Sequence, residues 1–274
     1  MAEQRSTEHQ IPVIGATVHV WDSGPVDGPV VVLTHGATMD HRMFDAQVPA
    51  LTAAGYRVIT WDLRGHGASR PLGAEPFTVP LLVEDLLTVL DHLGVTGPVV
   101  AGGQSLGGYV AQELVFRHPE RVAALVIIGS TCLTLPISRA EDWALRSSPW
   151  WFRPWPWRLL TQVVARSTAR DPAVQAYAGG AIGVIGKRDF LRIWEGVATC
   201  LHAEPGYRIT QPILLLHGAE DRTGTIARSV PAWAARDPHC RYAVIPTASH
   251  NANQDNPTET NRLLLEFLDE HVPD

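Results

Sequence analysis

Short unbroken apolar runs alternate along this chain with stretches whose apolar residues recur every three or four positions. The runs "VVVLTHG" (30–36), "RVITWDLRG" (57–65), "PVVAGGQ" (98–104), "AALVIIGS" (123–130), "PILLLHG" (212–218) and "CRYAVIP" (240–246) predict strands buried on both faces. "ATVHVW" (16–21) alternates weakly and predicts an antiparallel strand ahead of them. Between the runs, residues 79–94 place Leu82, Leu86, Val89 and Leu93 at helical spacing before Gly94, which predicts a helix closed by glycine. Residues 44–56, capped near Asp45 and closed at Gly55, "GYVAQELVFRHP" and 258–271 predict further helices. Strand and helix in alternation imply an α/β chain with a mainly parallel sheet covered on both faces.

The alternation stops between about Leu133 and Arg208. That stretch has no comparable apolar run, much of it reads as helical, and it opens on "DWALRSSPWWFRPWPWRLL". It is taken as a helical insertion, with a core of 1–133 and 209–274 and a cap of 134–208.

Composition narrows the function. The chain has 274 residues, 45% of them hydrophobic and 18% charged, which suits a large buried core. A formal charge of −6 without a basic block argues against nucleic acid as a partner. Cys132, Cys200 and Cys240 are far apart and odd in number. They predict neither a disulfide framework nor a zinc site, and fit a reducing compartment. The first residues lack a signal-peptide apolar stretch, and no run reaches membrane-helix length. The expectation is a cytoplasmic protein without stable membrane insertion, metal or cofactor.

Chemistry first surfaces at residues 99–115, "VVAGGQSLGGYVAQELV". Gly103-Gln104-Ser105-Leu106-Gly107 fits G-x-S-x-G, with a strand before and a helix after. A sharp strand-to-helix turn leaves no room for neighbouring Cβ atoms, so glycines flank the serine. The Leu106 amide then falls at a helix N-terminus, where an unpaired N–H suits a developing oxyanion. A packing turn and a phosphate cradle are the competing readings. The stretch fits neither G-K-[ST] nor G-x-G-x-x-G.

A serine needs a base to take its proton. Of 12 histidines, His250 follows the last strand in "VIPTASHNANQDNP". His35 and His217 end apolar strands beside glycines and read as loop-shaping groups; His41 and His66 read as loop polar groups. An acid that orients the base is expected between serine and histidine in the chain. Asp221 in "LLLHGAEDRTG" fits, with Glu220 as its adjacent rival. "THGAT" offers the Ala37 N–H as a second oxyanion donor, with Gly36 keeping the loop tight.

These stretches, together with "VITWDLRGHGAS", resemble the α/β-hydrolase superfamily from residue 30 to residue 257. The resemblance implies a mainly parallel eight-stranded sheet with helices on both faces and a helical cap after the sixth strand. It implies Ser105 as nucleophile, His250 as base, Asp221 as acid, and the Ala37 and Leu106 amides as oxyanion hole. Asp62 and Arg64 match D-x-R-G-x-G-x-S and read as structural support. Serine rather than aspartate at position 105 argues against a dehalogenase or epoxide hydrolase. Ala37 replaces the proline linked with perhydrolases. The chain also lacks the G-P-G extension of carbon–carbon bond hydrolases. It most resembles small bacterial esterases and enol-lactonases.

Five of nine tryptophans lie between residues 143 and 157. Packing onto the core is the first expectation for them. A pocket over Ser105, built with Trp143, Trp150, Trp151 and Trp155, is the second. Membrane contact is the third, because Pro149, Pro154 and Pro156 prevent one continuous amphipathic helix and the stretch is low in lysine and arginine. The function expected is cleavage of a small-molecule ester or lactone through an acyl-enzyme. An acyltransferase or lyase on the same site, or a ligand-binding protein with a retained triad, are the alternatives.

Overall fold

A computed structural model describes residues 6–237 and 239–272. Eight strands form one sheet: β1 (Ser6–Val13), β2 (Ala16–Ser23), β3 (Val30–Thr34), β4 (Arg57–Asp62), β5 (Val99–Gln104), β6 (Val122–Ile128), β7 (Ile213–Gly218) and β8 (Cys240–Ile245). Their order is β1-β2-β4-β3-β5-β6-β7-β8. β2 runs antiparallel to both neighbours, and β3 to β8 are parallel. The hydrophobic pattern predicts seven of these strands. β1 is missed because it pairs on one side only and leaves most of its residues exposed, so it carries little apolar signal.

Ten helices accompany the sheet among the described residues: α1 (Gln47–Ala53), α2 (Val79–His92), α3 (Leu106–Arg117), α4 (Arg139–Phe152), α5 (Trp157–Thr168), α6 (Pro172–Ile185), α7 (Lys187–Ala198), α8 (Ile226–Arg236), α9 (Ala252–Asp255) and α10 (Pro257–His271). α2 starts where Thr78 Oγ1 accepts the Leu81 N–H, and it buries Leu82, Leu86 and Val89. The helix expected from Asp45 is shorter than predicted. Asp40 accepts the Arg42 N–H and caps a 3-10 turn over His41–Phe44, and α1 follows it. α1 connects β3 to β4 on one side, and α2 then crosses back to β5 on the other side of β3. Right-handed crossovers in opposite directions put the two helices on opposite faces. Accordingly α2 packs with α3, and α1 with α10. The crevice outside the ends of β3 and β5 is therefore a topological switch point, where open α/β sheets bind ligands.

Helices α4 to α7 lie between β6 and β7, in the stretch expected to be a helical insertion. Their shared packing is aromatic. Phe190 is fully buried and meets Phe152 at 5.9 Å, Trp157 at 5.5 Å and Trp194 at 6.0 Å between ring centres. Pro149 does not break α4. Ser148 Oγ donates to Leu145 O at 2.6 Å, the carbonyl that a residue-149 amide would otherwise have satisfied. The helix stops instead before Pro154 and Pro156. No helix among the described residues is long and apolar enough to cross a membrane.

Candidate active site

Ser105 stands between β5 and α3 at the switch point, with φ 51° and ψ −110°. A non-glycine residue there is strained and persists only when its surroundings hold it. Those surroundings are backbone. The Ser105 N–H donates to Ile128 O at 2.8 Å, and Ser105 O accepts from Gly108, Tyr109 and the Ser130 hydroxyl. The flanking glycines are sterically required: a Cβ on Gly103 would lie 2.2 Å from Gly107 C, and one on Gly107 would lie 1.9 Å from Thr34 O. This close seating brings the first turn of α3 against the end of β3, and so brings Leu106 toward the loop holding Ala37. Neither the Ala37 nor the Leu106 amide donates to another described residue.

The Ala37 loop is held by histidines. Thr38, at φ 68°, donates its amide to His66 Nε2 at 3.0 Å, and the Leu63 amide donates to His35 Nε2 at 3.0 Å. An accepting Nε2 puts the proton on Nδ1, which donates to Arg64 O from His66 and to Gly36 O from His35. Burial, with His35 close by, pushes His66 down to about 3, and burial also lowers His35. Both rings are therefore neutral supports. His217 bonds Gly218 O and Tyr242 Oη, and His41 pairs with Asp62 and stacks on Trp21. Arg64 forms a fully buried two-point pair with Asp85, in keeping with its reading as structural support.

His250 and Asp221 follow the ends of β8 and β7. His250 Nδ1 and Asp221 Oδ2 are 3.0 Å apart, and Asp221 Oδ1 accepts the Thr223 amide at 2.8 Å. Burial alone would raise the Asp221 carboxyl. The hydrogen bond and charge of His250 and the Thr223 amide outweigh it, and hold the carboxyl below its ordinary range. The rival Glu220 instead pairs with Arg170 of the insertion. The Asn251 amide donates to Thr168 O at the end of α5, so the loop after β8 is tied to the insertion as well.

The serine and histidine loops share supports. Gln104, beside Ser105, donates from Nε2 to His250 O at 3.1 Å, and its Oε1 lies against Gly36. Gly129 follows the Ile128 carbonyl that holds the Ser105 amide, and it sits beneath the His250 ring: a Cβ there would lie 3.3 Å from Nδ1 and 3.4 Å from Cε1. The Ser105 hydroxyl makes no hydrogen bond among the described residues. Such contacts are commonly long in resting sites and tighten on substrate binding.

Two groups of residues behave differently. Trp143, Trp150, Trp151 and Trp155 are exposed, so the expectation that they pack onto the core is corrected. Phe152, Trp157, Phe190 and Trp194 do that packing. Only Phe190's strict burial distinguishes them, and apolar spacing in so aromatic a stretch does not reveal it. Asp40, His41 and Asp62 bring three ligand-type atoms together, but protein partners already occupy them. Arg42 and Tyr177 take Asp40, and His41 and the Ala68 amide take Asp62.

The family model described as "Serine aminopeptidase, S33" matches residues 27–257. The chain is 42% identical over 100 residues to the magnesium-chelatase 30 kDa subunit of Rhodobacter capsulatus, spanning 36% of this chain and about a third (34%) of that one. It superposes on a thermophilic esterase from Thermogutta terrifontis with TM-score 0.83 and 24% identity, covering 98% of this chain and 100% of the other. The enol-lactonase from Burkholderia xenovorans LB400 gives TM-score 0.80 at 22% identity, over 95% and 100%. Proteins named as epoxide hydrolases and bromoperoxidases also match. At such identities the structural likeness is one of fold. With that fold, and with a family match over most of its length, this chain belongs to the α/β-hydrolase superfamily, in the family described as serine aminopeptidase, S33.

Proposed function

We propose that this hydrolase cleaves a carboxylic ester or lactone through a Ser105 acyl-enzyme, with His250 as base, Asp221 as orienting acid and the Ala37 and Leu106 amides as oxyanion hole. The observation that carries the reading is the 3.0 Å contact of His250 Nδ1 with Asp221 Oδ2. It fixes the ring proton on Nδ1 and leaves the Nε2 lone pair for the serine. The family description, which names a serine enzyme, supports it too. So does serine at 105, since an epoxide-opening member would need a carboxylate there.

In this mechanism Nε2 takes the Oγ proton as Oγ bonds to the carbonyl carbon. The carbonyl pair moves onto oxygen, and two amides receive the oxyanion, each contributing about 3 kcal/mol. Protonated His250 then gives its proton to the departing alkoxide as the ester bond breaks. Water, deprotonated by the same nitrogen, attacks the acyl carbon and releases acid and serine. The inserted helices cap this site and shape the acyl pocket.

A panel of esters, lactones and amides of varied acyl size, run on wild type and Ser105→Ala, tests the reading. The expected result is ester or lactone turnover that falls at least roughly a thousandfold in the variant, with fluorophosphonate labelling lost. Unchanged turnover in Ser105→Ala rejects it. Preferential transfer to added alcohol or thiol would reassign the site to acyl transfer, and turnover confined to amides would reassign it to a peptidase.

A further inference from the structure

Four tryptophans of the insertion are exposed to solvent. Trp143, Trp150, Trp151 and Trp155 keep 65%, 70%, 61% and 37% of their surface exposed. Clustered large apolar side chains at a surface mark a contact site. Trp143 and Trp150 are seven residues apart, so they share a face of α4. Trp151 adjoins them, and Trp155 stands in the turn to α5, where Leu159 is also exposed.

Beside the tryptophans runs a groove of about 720 Å³ between α4 and α7. Trp150, Arg146, Arg153, Lys187, Arg188 and Arg192 line it, with Glu195 as its single acidic residue. Arg146 and Arg192 have carboxylate partners in Asp142 and Asp189. The other three cations have none. Arg153 lies over the Trp150 ring at 4.9 Å, Lys187 donates to Arg153 O and Trp155 O, and the Arg188 side chain makes no hydrogen bond or ion pair among the described residues. The wider charge distribution agrees. Residues 134–208 hold ten Lys/Arg and six Asp/Glu, a balance of +4, and the rest of this −6 chain carries −10.

We propose that the face made by the C-terminal half of α4, the α4–α5 turn and the start of α7 docks on a lipid surface bearing anionic headgroups. Tryptophan rings settle at the boundary between headgroup and acyl chain, where an apolar body and a polar N–H are both satisfied. Arg153, Lys187 and Arg188 meet the phosphates. The contact proposed is peripheral, and no helix among the described residues is long and apolar enough to cross a membrane. Charge segregation orients the molecule, basic side down, and repulsion of the acidic remainder fades over a Debye length of about 8 Å. The prolines do not prevent this. α4 runs through Pro149, and two of the three cations, Lys187 and Arg188, come from α7, outside the tryptophan-rich stretch.

The full chain is tested by co-sedimentation with phosphatidylcholine vesicles, with and without phosphatidylglycerol, while tryptophan emission is followed. The expected result is binding to the anionic vesicles, a blue shift on binding, and weakening as salt rises. Each basic side chain contributes on the order of fivefold to partitioning. R153E/R188E should therefore lose at least tenfold, while hydrolysing soluble esters like wild type and keeping its circular dichroism. Trp150→Ser should diminish the blue shift. Equal binding to both vesicle types, no binding to either, or unaltered binding by R153E/R188E overturns the proposal. A lipid-free dimer seen by light scattering, with its tryptophans already blue-shifted, also overturns it and assigns the face to a second copy.

Discussion

Asp255 Oδ2 accepts the amide of Ser249, the residue before His250, at 2.8 Å. The same carboxylate accepts the amides of Arg170 and Asp171, between α5 and α6, at 2.9 to 3.0 Å. One side chain thus ties the loop of the proposed base to the inserted helices. Arg170 adds a second tie through its guanidinium to Glu220, the neighbour of Asp221.

Removing the Asp255 acceptor should loosen His250 without touching substrate. A displacement of about 1 Å in a reacting group can cost about a hundredfold. Asp255→Ala is therefore expected to lower kcat on a soluble ester by about ten- to a hundredfold with a smaller change in KM, and to slow fluorophosphonate labelling in parallel. Asp255→Asn keeps one acceptor oxygen and should retain more of both. Wild-type kcat and labelling in Asp255→Ala would show that Asp255 does not position the base.

Gly129 has φ 60°, and an added methyl would press on the His250 ring and on His250 O, 3.2 Å away. Both the backbone and the neighbour oppose a side chain there. Gly129→Ala should reduce kcat more than it reduces thermal stability, because the ring that must give way is the proposed base. Parallel kinetics and thermal melts decide it. A variant that melts early but turns over normally at low temperature contradicts the expectation.

Acid should weaken the fold before it protonates Asp221. His66 binds its proton in the folded state only near pH 3, whereas an unfolded histidine does so near 6.5. A depressed folded pKa contributes stability that is complete above about pH 6.5 and lost as pH falls toward 3. The loss has a limiting slope of about 1.4 kcal/mol per pH unit for one such group. Neutral His66 receives the Thr38 amide, and a glutamine carbonyl could take that place. Thermal melts from pH 7 to 4 should show a shallower decline for His66→Gln than for wild type. Equal slopes would mean that His66 does not carry the effect.

What could be read from the sequence was what short-range sterics and burial dictate. The Ser105 turn announces itself because glycines are the only residues that fit between β5, α3 and β3. The buried parallel strands announce themselves as apolar runs. β1 does not, because an edge strand with one partner needs little apolar surface. The choice of Asp221 over Glu220 rests on facing directions of adjacent residues, which spacing does not encode. The Asp255 ties join amides 84 and 85 positions away, and such pairings leave no local trace. Whereas Trp157 packs as expected, Trp143, Trp150, Trp151 and Trp155 misled for a related reason. Their apolar character argues for burial, but Phe152, Trp157, Phe190 and Trp194 already fill the interior of the insertion.

Gln104 has a consequence for how this site can vary over time. Its amide nitrogen serves the histidine loop, and its oxygen occupies the space that any side chain at residue 36 would need, 2.0 Å from a Cβ placed there. A descendant that acquires alanine at 36 must displace or shorten the Gln104 side chain, and so disturbs the contact to His250 O. Substitutions at these two sites should therefore be inherited as a pair, with a compensating donor appearing beside position 250.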